Sequence, residues 1–313
     1  MRHVLLTSMK DEGPYALEFI AHHRVLGFDA HHVATNDCSD GTDHLLDALA
    51  AHGIITHLRN ELAEGERPQR TAYAKMRKAY ATDSADWVMV LDADEFLFVE
   101  AGAGRIGDLT ALAGPEIDVI TLSSKSFGTY ADDRWQPGLV TEQFTRRIRD
   151  DSPANGPSKS ISRGKGRWGA VQNHNPVDFQ GDYPIRALMG SDQVIEIPRG
   201  TPIHKVLRFQ GPETMGHKLA WYAHYPVKSA ESYLARRARG LGTTPVGATE
   251  AKERYSDEYW TRFARGKISD RRLPDRYGAL MRAELARLLD LPGVAAAQRD
   301  ALALYARLLG REG

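Results

Sequence analysis

The sequence predicts an α/β fold: a mostly parallel sheet over the first hundred residues, then an α+β elaboration, then a helical C-terminal region. Three observations predict it. Short apolar runs alternate with segments of helical spacing up to about Gly102, shorter strands between Gly-, Pro- and Asp-rich turns follow, and beyond about residue 229 the chain is helical and rich in Arg.

HVLLTS, residues 3 to 8, reads as a buried strand, and Gly13-Pro14 opens a helix with the proline suited to its first turn. Leu17, Ile20 and Leu26 recur near the helical period, with Ala16, Phe19 and His23 beside them, and Gly27 closes the helix. AHHVAT at 30 to 35 is a second strand, NDCSDGT turns into a helix over TDHLLDALAAH that Gly53 ends, and IITHL at 54 to 58 is a third strand. Ala72, Met76 and Ala79 give the segment from Arg67 to Thr82 helical spacing. It leads into WVMVLDADEFLF, Trp87 to Phe98, so the order is β-α-β-α-β-α-β.

Such alternation implies parallel strands joined by right-handed crossovers, with ligands bound beyond the carboxyl ends of the strands. Thr7 to Glu12, Asn36 to Gly41 and Asp92 to Glu95 then share one rim. In the second half DVITLSS (118–124) and GLVTEQFTRR (138–147) read as strands. Residues 151–169 are poor in apolar residues and carry Lys159, Arg163, Lys165 and Arg167, as a mobile or ligand-ordered loop would. Leu280, Leu285, Leu288 and Leu289 lie at amphipathic spacing near the C-terminus.

Composition limits the function classes. The 313 residues carry 41 basic and 41 acidic side chains, so no overall basic field argues for nucleic-acid binding. A single cysteine, Cys38, cannot form an internal disulfide and fits a reducing compartment. The N-terminal apolar run is too short for a signal peptide, and no later run approaches the ~18 residues of a membrane span. A cytoplasmic protein is expected, with a peripheral membrane contact left open.

The run ending at Asp92, Asp94 and Glu95 poses the sharpest question, because clustered carboxylates at the end of a buried strand repel one another unless something cationic sits among them. Residues two apart on a strand share a face, which lets Asp92 and Asp94 point together as a hard-oxygen site for Mg²⁺ or Mn²⁺, with Glu95 offset. The plain alternative is that they cap a turn.

Several pieces in order resemble the nucleotide-sugar glycosyltransferases of the GT-A fold, family-2-like, in the bacterial branch that shares features with family 92: MKDEGPYALEFIAHHRVLGFD, NDCSDGT, RPQRTAYAKMRKAY, ADWVMVLDADEF and HYPVKSAESYLARRARG. The resemblance spans about residues 1 to 240 and implies a Rossmann-like catalytic domain over 1–230, divided into a nucleotide-binding half (1–101) and an acceptor-side half (102–230), with a helical extension over 231–313. It implies transfer of a sugar, with inversion, from a nucleotide-diphosphate donor such as a UDP-sugar to a glycan or other hydroxyl acceptor, in surface or extracellular polysaccharide biosynthesis. A non-catalytic nucleotide-binding protein on the same scaffold is the alternative.

By the same resemblance Asp92 and Asp94 hold the divalent metal, Asp92 also serving the donor diphosphate, while Lys10, Glu12, Asp37, Gln69 and Arg70 contact the donor. His224, in the HY-x-x-KS pattern, is favoured over His174 as a further metal ligand, and Lys228 helps neutralise the leaving diphosphate together with Lys159, Arg163 or Lys165. Asp40, Gly41 and Thr42 are expected to shape a turn and cap the next helix. The catalytic base is not identified; Asp133, Glu142, Asp182 and Asp192 are available. A phosphatase, a nucleotidyltransferase and a dehydrogenase are disfavoured, since no Gly-rich phosphate loop precedes the first helix.

Overall fold

A computed structural model describes residues 1–129, 134–211, 213–239, 242–247, 256–264 and 266–311. The first half follows the predicted order: β1 (His3–Met9), α1 (Gly13–Val25), β2 (Ala30–Thr35), α2 (Thr42–Ala51), β3 (Thr56–Arg59), α3 (Pro68–Ala79) and β4 (Trp87–Val90). β4, β1, β2 and β3 lie side by side and parallel. Side chains alternate across β1: Leu5 joins the main core with α1 and α2, whereas Val4 and Leu6 pack with Ala72, Tyr73 and Met76 of α3 on the other face.

Beyond β4 the sheet becomes mixed. β5 (Glu95–Val99), α4 (Ile106–Ala111), β6 (Val119–Gly128), α5 (Val140–Gln143), β7 (Arg146–Arg147) and β8 (Ser158–Arg163) follow. Next come β9 (Trp168–Ala170), β10 (Val177–Phe179), β11 (Ile185–Met189), β12 (Val194–Ile197), α6 (Ile203–Leu207) and β13 (Ala220–His224). The sheet order is β12-β11-β6-β8-β4-β1-β2-β3, with β13 bridging β5 and β6. The C-terminal part holds α7 (Ala230–Arg239), α8 (Asp257–Ala264), β14 (Ile268–Ser269), α9 (Arg272–Leu289) and α10 (Val294–Leu308).

Four expectations need correction. The acidic run is not one strand: Asp92 and Asp94 sit in the turn between β4 and β5, so the shared-face argument for a strand does not place them. The polar stretch 151–169 is no loop, because Ser158–Arg163 forms β8 in the middle of the sheet, its small serines filling space that larger polar residues would not. GLVTEQFTRR gives the short helix α5 and two residues of β7. Leu280 and Leu289 face outward on α9, while Leu288 is buried.

α1 is buried on nearly every side from Tyr15 to His23. Its inner side meets the sheet, and α9 and α10 cover its outer side through Tyr277, Met281 and Tyr305. A helix enclosed on both sides in this way also buries Glu18, His22 and His23, whose polar atoms find partners such as the Leu97 and Phe19 carbonyls and the Val140 and Thr141 N–H groups. Gly27, at φ 91°, ends it in the left-handed region.

Candidate active site

The rim predicted beyond the parallel strands is where the charged residues gather. Lys10, Asp11 and Glu12 after β1, and Asp37 and Ser39 after β2, line a cavity of about 410 Å³ closed on its far side by Lys228, Arg236, Arg239 and Tyr305. Asp11, Asp37 and Lys228 all hold positive φ, at 49°, 46° and 47°. Non-glycine residues in that region cost free energy, and such strain collects where a ligand fixes the backbone. Arg236 also lines an adjoining cavity of about 680 Å³ that contains Asp92, Asp94, Glu95, His174 and His224.

The answer to the clustered acids is that each has a basic partner within the chain. Lys159, fully buried on β8, places Nζ 2.9 Å from Asp92 Oδ2 and 2.7 Å from Glu95 Oε2. β8 runs antiparallel to β4, which brings its first residues to the carboxyl end of β4. Arg236 Nη1 donates to Asp94 Oδ2 at 2.5 Å. Arg239 Nη2 donates to Glu12 Oε1 at 2.6 Å and its Nη1 to the carbonyl oxygens of Lys10 and Asp11; Lys228 Nζ lies 3.6 Å from Glu12 Oε2 and over the Tyr15 ring. Gln69 Nε2 (2.8 Å) and Asn173 Nδ2 (3.2 Å) complete the shell of Asp92.

These pairings set the protonation states. Burial works to raise the Asp94 carboxyl, but Arg236, His224 and Lys228 hold it far below the usual carboxylate range. Burial opposes ionisation of Asp92 as well, and Lys159 outweighs it. Glu95 is pushed up by burial and by the two aspartates, Lys159 opposing. Glu12 stays low because Arg239, Lys228 and Arg236 overcome its burial. Burial lowers Lys228, with Glu12 opposing.

β13 pairs antiparallel with β5, setting His224 opposite Glu95, and its Nε2 lies 3.7 Å from Asp94 Oδ2. His174 lines the same cavity with Nδ1 2.9 Å from the Ser158 carbonyl, and burial and Lys159 push its imidazole down to about 3. Two carboxylates and an imidazole are a donor set that suits Mn²⁺ or Mg²⁺. Among the described residues no three His, Cys, Asp or Glu side chains are gathered closely enough to hold an ion as they stand. Lys159 and Arg236 would have to yield Asp92 and Asp94 for both to reach one.

Other expected residues fall elsewhere. Arg163 stacks on Trp87 (4.4 Å) and Lys165 pairs with Asp86 (2.6 Å), both at the end of β4 opposite the acids, because β8 has carried them there. Glu142 pairs with Arg282, Asp192 pairs with Lys218, Asp182 is exposed, and none of the three lines the large cavity; Asp133 lies outside the described residues. The carboxylates that do line it are Asp92, Asp94, Glu95 and Glu258. Asp40 accepts from the Gly13 and Thr42 backbone N–H groups (2.8 and 3.0 Å), joining the turn before α2 to the start of α1.

Arg236 and Arg239 were not singled out from the sequence. Their signal is the i, i+3 spacing in ARRARG directly after HYPVKS, which puts both on one face of α7. After α7, residues 242–247 return to the start of α3: the Gln69 N–H donates to the Gly242 carbonyl (3.0 Å), and the Val246 N–H to that of Glu66 (2.9 Å).

No family model matches the chain, and neither does any curated protein. Among solved structures it is similar to residues 1–349 of TarS from S. aureus: 11% identity, 98% of this chain, 71% of that one, TM-score 0.37. A longer TarS structure gives 12% identity over 98% of this chain and 43% of that one, TM-score 0.40. Glucosyl-3-phosphoglycerate synthase from Mycobacterium tuberculosis, solved with Mn²⁺, UDP and glucosyl-3-phosphoglycerate, gives 19% identity over 40% of this chain and 43% of that one, TM-score 0.25. Likenesses this loose assign neither family nor substrate.

Proposed function

We propose that the chain is a glycosyltransferase that moves a sugar from a UDP-sugar to a hydroxyl acceptor, with inversion, in the making of a surface or extracellular polysaccharide. One observation carries the reading: two adjoining cavities at the carboxyl ends of β1, β2 and β4, joined by Arg236, with the Asp92–Asp94 turn opening into the larger. The smaller suits a nucleoside diphosphate, with Asp37 placed for base or ribose and Lys228, Arg236 and Arg239 for the phosphates. Asp92, Asp94 and His224 would hold Mn²⁺ or Mg²⁺, which supplies Lewis-acid stabilisation of the leaving diphosphate.

In the transfer the acceptor oxygen bonds to the anomeric carbon as the bond from that carbon to the diphosphate oxygen breaks, its electron pair leaving with UDP. The hydroxyl proton passes to a carboxylate. Among the described residues Glu258 is the lining carboxylate with no ion pair to a basic side chain, and this reading gives it the proton. Arginines freed from Glu12 and Asp94 stabilise the charge growing on the leaving group.

Calorimetry with UDP and Mn²⁺, followed by an assay of UDP release from a panel of UDP-sugars, tests this. Uptake with release supports the transferase. Uptake without release identifies a non-catalytic nucleotide-binding protein, and no uptake overturns both readings.

A further inference from the structure

Glu12 stands directly before α1, where a side-chain oxygen commonly caps the helix by accepting from its first N–H groups. Its carboxylate makes no such bond. Asp40 Oδ2 takes the Gly13 N–H instead (2.8 Å), and Thr42 Oγ1 accepts from the Glu12 N–H (2.9 Å). The turn before α2 thus serves the start of α1, and the Glu12 side chain is turned to the cations of the 410 Å³ cavity.

Among the described residues three carboxylates line that cavity, and they are used differently. Asp11 Oδ1 accepts from the Ser39 N–H and hydroxyl (2.7 and 3.0 Å), and Asp37 Oδ2 from the Asn36 amide (3.1 Å). Glu12 is the one of the three paired with basic side chains. Its Oε1 lies 2.6 Å from Arg239 Nη2 and its Oε2 3.6 Å from Lys228 Nζ, an ammonium that is buried and backed by the Tyr15 ring at 4.1 Å.

Oxygens shared in this way between a guanidinium and an ammonium are what one phosphoryl group presents to such a pair. The carboxylate and a phosphoryl group cannot both hold it, because like charges within about 4–6 Å repel. Arg239 keeps 16% of its side chain exposed, which gives an anion a point of attachment before Glu12 lets go.

We infer that Glu12 is a built-in competitor for the donor diphosphate: its carboxylate holds Arg239 and Lys228 in the empty site, and the diphosphate enters by taking both cations from it. This rests on the glycosyltransferase reading and states how its donor site selects. A diphosphate brings a second phosphoryl group to reach Arg236, one turn back on α7, whereas a single phosphate has only one with which to displace the carboxylate. Glu12 therefore sets a threshold that inorganic phosphate does not clear.

Calorimetry on the full chain tests this with pyrophosphate and inorganic phosphate as probes and a chelator present, so that the cations of the chain alone are read. Glu12→Gln keeps the shape and an oxygen acceptor and drops the charge. It should tighten pyrophosphate at least about tenfold and bring phosphate uptake, absent in the parent, into the measurable range. Unchanged or weaker pyrophosphate binding by the variant overturns the inference, as does a parent that takes up phosphate as tightly as pyrophosphate. A circular dichroism melt shows whether the variant is folded, and its melting point should rise more with pyrophosphate than the parent's. If the single variant unfolds, the comparison is made between Arg239→Met and Arg239→Met with Glu12→Gln, where Lys228 is the cation released; a gain of about tenfold is again expected, and no gain overturns the inference. UDP release from UDP-sugars, assayed separately on the parent with Mn²⁺, reports on the transferase reading. Tightened pyrophosphate binding without UDP release sinks that reading alone, and release without tightening sinks this inference alone.

Discussion

Arg236 Nη1 lies 2.5 Å from Asp94 Oδ2, tying helix α7 to the turn between β4 and β5 across 142 positions of sequence. The Asp94 side chain is only 2% exposed, so its charge depends on this contact. Arg236→Met should therefore cost about 3 kcal/mol of stability, read by urea denaturation, because breaking a buried pair leaves a desolvated charge behind. Asp94→Asn in the same background should restore part of the loss.

Lys159 is a second such pivot. Lys159→Met strips the partner from both Asp92 and Glu95, and a double-mutant cycle with Asp92→Asn should show a coupling of about 1–3 kcal/mol by denaturant melts. Additive effects would mean that the two side chains do not stabilise one another.

Glu18 makes a contribution of definite sign to the pH dependence of stability. This carboxylate accepts hydrogen bonds from the Val140 and Thr141 N–H groups and the Thr141 hydroxyl, yet burial pushes it up to about 7 from 4.5. The folded state then binds the proton more tightly than the unfolded one, so the contribution is full below about pH 4.5 and is lost as pH rises through 7. Glu18→Gln should remove a fall of about 3 kcal/mol across that window, measured as the difference between the two stability–pH curves.

Glu258→Gln should lower UDP release at least about a hundredfold while leaving the affinity for UDP unchanged, as loss of a general base does. A release rate within a few-fold of the parent would exclude it as the proton acceptor.

The Cys38 thiol is pushed up to about 12 by burial, with Asp40, Asp11 and Asp43 adding. Its alkylation by iodoacetamide at mildly alkaline pH should be slow in the native protein and fast in urea, followed by mass spectrometry.

The sequence by itself determined the elements of the first half and the rim they share. Apolar runs such as HVLLTS and AHHVAT are strand-like, whereas Ala72, Met76 and Ala79 recur at helical spacing, and period dictates which faces are covered. It also put Lys10, Glu12, Asp37 and Asp92 at the ends of their strands. What only the tertiary structure decided is what neutralises the acids. Lys159 read as a loop residue because its neighbours are serines and glycines, and nothing local reveals that β8 inserts between β4 and β6. Arg236 and Arg239 come from a helix 142 and 227 positions away from the acids they hold. Periodicity is a property of adjacent residues, whereas charge compensation in a buried site depends on distances that the packing of remote segments sets.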